Sequence, residues 1–218
     1  MSANNLSSPL AELARLRLLP ILTLNDPALA GPLAQALLNG GLPCVELTLR
    51  TPRALESVKV LASRGDLLVG AGTIRTVENA RAAVEAGAKF LVSPACVPDV
   101  LAWCRDNGVP LTPGCVTPSE IELAIAHGCE VVKFFPASNF GGPSTLKAYA
   151  APLPNVRFIP TGGISQKTLP EYLALKNVLA VGGGWFAPAD DLQNNRFSEI
   201  EQRVRTAVEI AATISSIS

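Results

Sequence analysis

The chain has 218 residues, of which 48% are hydrophobic and only 17% charged. So apolar a chain buries a sizeable core, which excludes global disorder. Its 18 basic and 18 acidic residues leave no net charge to hold nucleic acid, and 5% aromatics are too few for base-stacking platforms.

Ser8 before Pro9–Leu16 predicts a short capped N-terminal helix, expected to plug the bottom of the fold. Leu18 to Leu24 reads as the first strand. From there glycine sets a period: Gly41, Gly65, Gly87, Gly108 and Gly128 lie 24, 22, 21 and 20 residues apart, each after an amphipathic stretch. Glycine just past a helix supplies the left-handed closing residue. After each comes a short apolar run: Cys44–Leu47, Leu67–Val69, Phe90–Val92, Val109–Leu111 and Val131–Phe134. Such runs are expected of buried parallel strands. Val156–Ile159 and Val178–Val181 supply two more, making eight. Asp26-Pro27, Thr51-Pro52 and Thr117-Pro118 each place a capping side chain before a helix-starting proline, and Glu120 completes a capping box with Thr117. The last helix is expected from Phe197 to Ile214.

Eight βα units of about 22 residues need about 176 residues. The expected fold is therefore α/β, a (β/α)₈ TIM barrel with a short N-terminal helix, forming one domain over residues 1–218. An open doubly wound sheet would want G-x-G-x-x-G after the first strand, where Thr23-Leu24-Asn25-Asp26 stands instead. No uncharged apolar run reaches membrane-spanning length, and no basic segment precedes an apolar one near the N-terminus. A soluble cytoplasmic protein with no membrane partner is expected.

Active sites of such barrels sit at the C-terminal ends of the strands. In the second strand, alternation puts Cys44, Glu46, Thr48 and Arg50 on the face toward the barrel. Two charges there point to chemistry; the plainer alternative is a structural Glu46–Arg50 ion pair. In the sixth strand, Lys133 lies in the apolar run Val131-Val132-Lys133-Phe134-Phe135. Burial disfavours the ammonium form of a lysine, and a neutral amine attacks carbonyls. A snorkelling lysine would need an edge strand, which a closed barrel lacks. Thr161-Gly162-Gly163-Ile164 and Gly182-Gly183-Gly184-Trp185 follow the seventh and eighth strands, where barrel loops often cradle phosphate. The five cysteines show no C-x-x-C spacing. Four read as buried small hydrophobes, and Cys115 at a strand end is the candidate reactive thiol. The sole histidine, His127, reads as a helix C-terminal surface residue, and no ligand cluster predicts a metal site.

Together Val45-Glu46-Leu47-Thr48-Leu49-Arg50-Thr51, Gly70-Ala71-Gly72-Thr73, Val132-Lys133-Phe134-Phe135-Pro136-Ala137 and Thr161-Gly162-Gly163-Ile164 resemble the 2-keto-3-deoxy-6-phosphogluconate (KDPG) aldolase / 4-hydroxy-2-oxoglutarate (KHG) aldolase family. The resemblance runs from about Leu18 to Ala207. It implies a class I pyruvate aldolase with no metal or other cofactor, a small 2-keto acid substrate that is phosphorylated, and a homotrimer. By the same resemblance Lys133 forms the Schiff base, Glu46 moves protons and Arg50 clamps the carboxylate. Thr73, Pro94, Phe135 and Thr161 line the pocket, and Gly162, Gly163, Gly183 and Gly184 hold the phosphate. The family commonly has serine where Gly184 stands, which bears on the choice between the phosphorylated six-carbon acid and 4-hydroxy-2-oxoglutarate. Two other readings stay open: a phosphate-binding barrel isomerase or synthase with Glu46 as base and Lys133 as a charge clamp, and a non-catalytic sugar-phosphate-binding barrel.

Overall fold

Strands and helices alternate around a closed ring in the computed structural model, which describes residues 6–215. Among the described residues the strands are β1 (Leu18–Leu22), β2 (Cys44–Thr48), β3 (Leu68–Gly72), β4 (Phe90–Val92), β5 (Leu111–Thr112), β6 (Gly114–Cys115), β7 (Val131–Phe134), β8 (Arg157–Pro160) and β9 (Val181–Gly183). The helices that bear on the site are α1 (Ser8–Leu16), α2 (Ala30–Asn39), α3 (Ala54–Arg64), α6 (Pro118–Ala126), α9 (Ala189–Gln193) and α10 (Phe197–Ser215), numbered in chain order with α4 (Val77–Glu85), α5 (Pro98–Asp106), α7 (Gly142–Tyr149) and α8 (Leu169–Leu173) between them.

Two parallel sheets, in the orders β5-β4-β3-β2-β1-β9 and β6-β7-β8, join at both seams. At one seam Pro113 divides the fifth barrel strand into β5 and β6. Proline has no N–H to donate, but its carbonyl accepts from the Lys133 N–H at 2.8 Å, so the ladder passes from β4 to β7 through it. At the other seam the bridges Phe158↔Val178 and Thr161↔Gly182 bring β8 to β9. The result is the eight-stranded barrel that the sequence predicts.

Register fixes which side chains meet inside. Glu46, Gly70 and Phe90 are level on β2, β3 and β4, and Gly114, Lys133 and Ile159 are level on β6, β7 and β8. The Phe90 ring fills the space that a Cβ on Gly70 would occupy. A small residue opposite a large one is how a narrow barrel fills its interior.

The period-setting glycines all take left-handed backbone, with φ between +64° and +103°. The Thr117–Glu120 capping box forms in full. Asp26 accepts from the Ala28 N–H, but it opens a 3₁₀ turn, Pro27–Leu29, that leads into α2. Thr51 does not cap: α3 starts at Ala54, and the Thr51 hydroxyl instead donates to the Leu24 carbonyl at 2.7 Å, tying the β2 loop to the β1 loop. Ser8 is already helical. Ser7 stands at the cap position without a side-chain bond, and its N–H donates to the Glu130 carboxylate at 3.0 and 3.1 Å. Leu10 and Leu13 of α1 are buried beside the start of β1. The eighth strand forms later than expected, over Val181–Gly183, because the glycines themselves pair with β1. Along α10, Ile200, Val204, Ala207 and Ala211 are buried, with Phe197 and Val208 half-buried. No helix among the described residues is long and apolar enough to cross a membrane.

Candidate active site

β2 and β7 stand opposite each other in the ring, and each sends one charged side chain inward. Glu46 is 1% exposed and Lys133 is 7% exposed. Lys133 Nζ lies 3.5 Å from Glu46 Oε1 and 5.2 Å from the centre of the Phe135 ring. At that separation the two charges are paired, yet neither Glu46 oxygen has a well-formed hydrogen bond among the described residues. Burial raises the Glu46 carboxyl above the ordinary carboxylate range; Lys133 and, more weakly, Arg50 oppose that rise. A carboxyl lifted toward neutrality beside an amine can take and return a proton.

The Glu46–Arg50 ion pair, the plainer alternative, does not form. β2 ends at Thr48, so Arg50 rises past the strand to the rim, exposed. It has no ion-pair partner among the described residues, and its charge reaches Glu46 only through space. An unpaired guanidinium at the mouth of a pocket suits a carboxylate.

Gly72 explains how Glu46 fits. A Cβ on Gly72 would overlap Glu46 Oε1, so the carboxylate rests against bare backbone at the end of β3. Thr73 follows with φ of +63°, a left-handed conformation that is strained for a β-branched residue. Strain of this kind gathers at functional sites, and Thr73 stands half-buried just past the end of β3.

Pro94 and Phe135 are half-buried beyond β4 and β7. Thr161 is buried at the end of β8 with its hydroxyl unpartnered among the described residues, pressed against Gly182, where a Cβ would overlap it. Gly162 and Gly163 have φ of +99° and +71°. The N–H groups of Gly162, Gly163 and Gly184 donate to no acceptor among the described residues. Free backbone donors on neighbouring turns can cradle an anion. Gly183 is small for a different reason: a Cβ there would lie 2.5 Å from the Trp185 ring. Gly184 is open, and a Cβ would meet only the Ile21 carbonyl at 3.4 Å.

Three features escape the sequence reading. Gly163 leaves room for Ser138, whose hydroxyl occupies the place of its missing Cβ. Thr112 is buried with an unpartnered hydroxyl, level with Val92. Thr23 and Thr48 pair hydroxyl to hydroxyl at 2.7 Å. The period-2 alternation from Leu19 through Ile21 carries the signal for Thr23; Ser138 leaves none. Cys115, the candidate thiol, does not fit a reactive one: it is buried, burial pushes its thiol up, and Sγ faces the Pro113 and Glu120 carbonyls. His127 closes α6, with Nδ1 2.9 Å from the Leu123 carbonyl. Among the described residues no three His, Cys, Asp or Glu side chains converge on a metal position.

Comparison with known proteins meets this geometry. The family profile described as KDPG and KHG aldolase matches residues 10–203. A 2-dehydro-3-deoxy-phosphogluconate aldolase of Treponema pallidum is 43% identical over 203 residues, covering 93% of this chain and 97% of that protein. The KDPG aldolase of Legionella pneumophila, solved with pyruvate captured as a covalent carbinolamine, superposes with a TM-score of 0.89 at 37% identity over 92% of this chain and 98% of that one. The Zymomonas mobilis enzyme, solved with 3-phosphoglycerate, gives 0.85 at 37% identity over 91% and 94%. The barrel with its opposed lysine and glutamate belongs to the KDPG and KHG aldolase family.

Proposed function

We propose that this protein is a class I aldolase that reversibly cleaves 2-keto-3-deoxy-6-phosphogluconate to pyruvate and glyceraldehyde 3-phosphate, and also acts on 4-hydroxy-2-oxoglutarate. The observation that carries this reading is the buried Lys133–Glu46 pair at the centre of the barrel. The carbinolamine seen in the Legionella relative requires an amine, and Lys133 is the amine buried here beside a carboxyl.

In this reading the Lys133 amine attacks the C2 carbonyl and gives a carbinolamine. Glu46 protonates the departing hydroxyl, and loss of water leaves a protonated imine. Glu46, now ionised, takes the proton of the C4 hydroxyl. The C3–C4 bond breaks, its electron pair moves to the imine nitrogen as an enamine, and the aldehyde leaves. Protonation at C3 and addition of water release pyruvate and restore the lysine. Arg50 and Thr73 hold the substrate carboxylate, Pro94 and Phe135 wall the pocket, Thr161 contacts the substrate chain, and the turns Gly162–Gly163 and Gly183–Gly184 receive the phosphate. A protonated imine accepts the carbanion's electrons far better than a ketone, so the reaction needs an amine, a proton carrier and an anchor.

We read the substrate as the small-molecule partner and the assembly as a homotrimer, as the family resemblance implies. Pyruvate release from each keto acid, followed with lactate dehydrogenase, tests the activity. Release from both supports the reading; release from neither, with binding retained, favours the non-catalytic alternative.

A further inference from the structure

β1 points Leu19 and Ile21 into the barrel, and Thr23 continues the alternation just past the strand end. Ile21 is level with Glu46, so Thr23 stands level with Thr48, two residues further along β2. Thr48 is buried and Thr23 half-buried, and their hydroxyls lie 2.7 Å apart. Neither hydroxyl has a second partner among the described residues. The pair carries two protons and its mutual bond uses one, so one donor and several lone pairs remain for a ligand. Thr23 also lines a cavity of about 340 Å³ whose polar wall is Asn25, Asp26, Gln193 and Asn195.

The ring order places β1 between β2, which carries Glu46, and β9, which leads to Gly184. The Ile21 carbonyl is the nearest group to a Cβ built on Gly184, at 3.4 Å. A six-carbon chain with C2 on Lys133, its C4 hydroxyl at Glu46 and its phosphate on the glycine turns must pass the end of β1. Its C5 hydroxyl then falls beside the two threonines. In 4-hydroxy-2-oxoglutarate that carbon is a carboxylate and bears no such hydroxyl. We propose that the Thr23–Thr48 hydroxyl pair is a specificity element that hydrogen-bonds the C5 hydroxyl of the longer substrate. The inference rests on the aldolase reading and names the part of the substrate that this corner reads.

Thr23→Val keeps the shape and removes the hydroxyl; Thr23→Ser keeps the hydroxyl. A neutral hydrogen bond corresponds to roughly three- to tenfold in specificity. The ratio of kcat/KM for 2-keto-3-deoxy-6-phosphogluconate over 4-hydroxy-2-oxoglutarate should fall by about that factor in Thr23→Val and recover in Thr23→Ser. The unaltered protein supplies a second measurement, in the condensing direction with pyruvate. It should prefer glyceraldehyde over 3-hydroxypropanal, which lacks the corresponding hydroxyl. Pyruvate trapping with borohydride reports the aldolase reading separately. A Thr23→Val protein that traps pyruvate yet keeps the original ratio overturns the inference. So does equal use of the two aldehydes by the unaltered protein, or a Thr23→Ser as impaired as Thr23→Val.

Discussion

Glu46 and Lys133 reach across the barrel from opposite strands and meet at 3.5 Å, the one carboxylate–ammonium pair here with both side chains less than a tenth exposed among the described residues. Burying two charges is costly, and it is retained where their proton exchange is the work. Glu46→Gln preserves the shape but accepts no proton, so turnover should drop by about 10²–10⁴. The pH profile tests the same point. Burial raises the Glu46 carboxyl, so on acidification its ionised form is lost sooner than that of an ordinary carboxylate. The acid limb of kcat/KM should therefore fall with a midpoint above 4.5, the unperturbed value. A limb below that value would separate Glu46 from the rate.

Gly72 gives a second test. A Cβ there would overlap Glu46 Oε1 and displace the carboxylate from Lys133. A misplacement of about 1 Å can cost about 10²-fold in rate. Gly72→Ala should lose at least tenfold in kcat while still trapping pyruvate. Unchanged kcat would show that the carboxylate has slack.

The space around Gly184 lets a serine in, since its Cβ would meet only the Ile21 carbonyl at 3.4 Å. A hydrogen bond to a charged phosphate is worth about 1.5–3 kcal/mol, roughly ten- to hundredfold. Gly184→Ser should raise kcat/KM for the phosphorylated acid selectively. An equal change for both substrates, or a loss for the phosphorylated one, would show that the bare backbone already fits the anion closely.

Asp191 on α9 ties that helix to α10. Its carboxylate accepts from Arg196 and Arg203 at 2.8 Å, and Arg203 also donates to the Phe186 carbonyl at 3.1 Å. The Arg196 hydrogen bond is the main reason its carboxyl lies below the usual range, with Arg203 adding to it. A carboxyl lowered by folding binds fewer protons folded than unfolded, so its stabilisation is present above 3.8 and lost as pH falls through the folded value. Asp191→Asn should lower Tm at pH 7 by about 3–8 °C, with the gap closing at low pH. A gap that stays constant with pH would assign the loss to packing.

Much of this was legible in the chain. The glycine period marked the helix ends, and Phe90–Val92 and Val131–Phe134 form strands with the bounds expected. Glu46 and Lys133 stood out because charge interrupts a buried apolar pattern. What the sequence hid depends on contacts between distant segments. The sequence offered Arg50, four residues away, as an alternative partner of Glu46, whereas the true partner lies on the opposite strand. Thr51 has the chemistry of a cap but spends its hydroxyl on the Leu24 carbonyl. Pro113 is plain in the sequence, but that its missing N–H splits the fifth strand shows only in the pairing.

The central claim is that Lys133 is the nucleophile. Incubation with pyruvate and borohydride should reduce the imine to a stable adduct of pyruvate on the protein, and peptide mass mapping should place it on Lys133, with none formed in Lys133→Met. An adduct on Lys147 or Lys167, or none in the unaltered protein, would contradict the account.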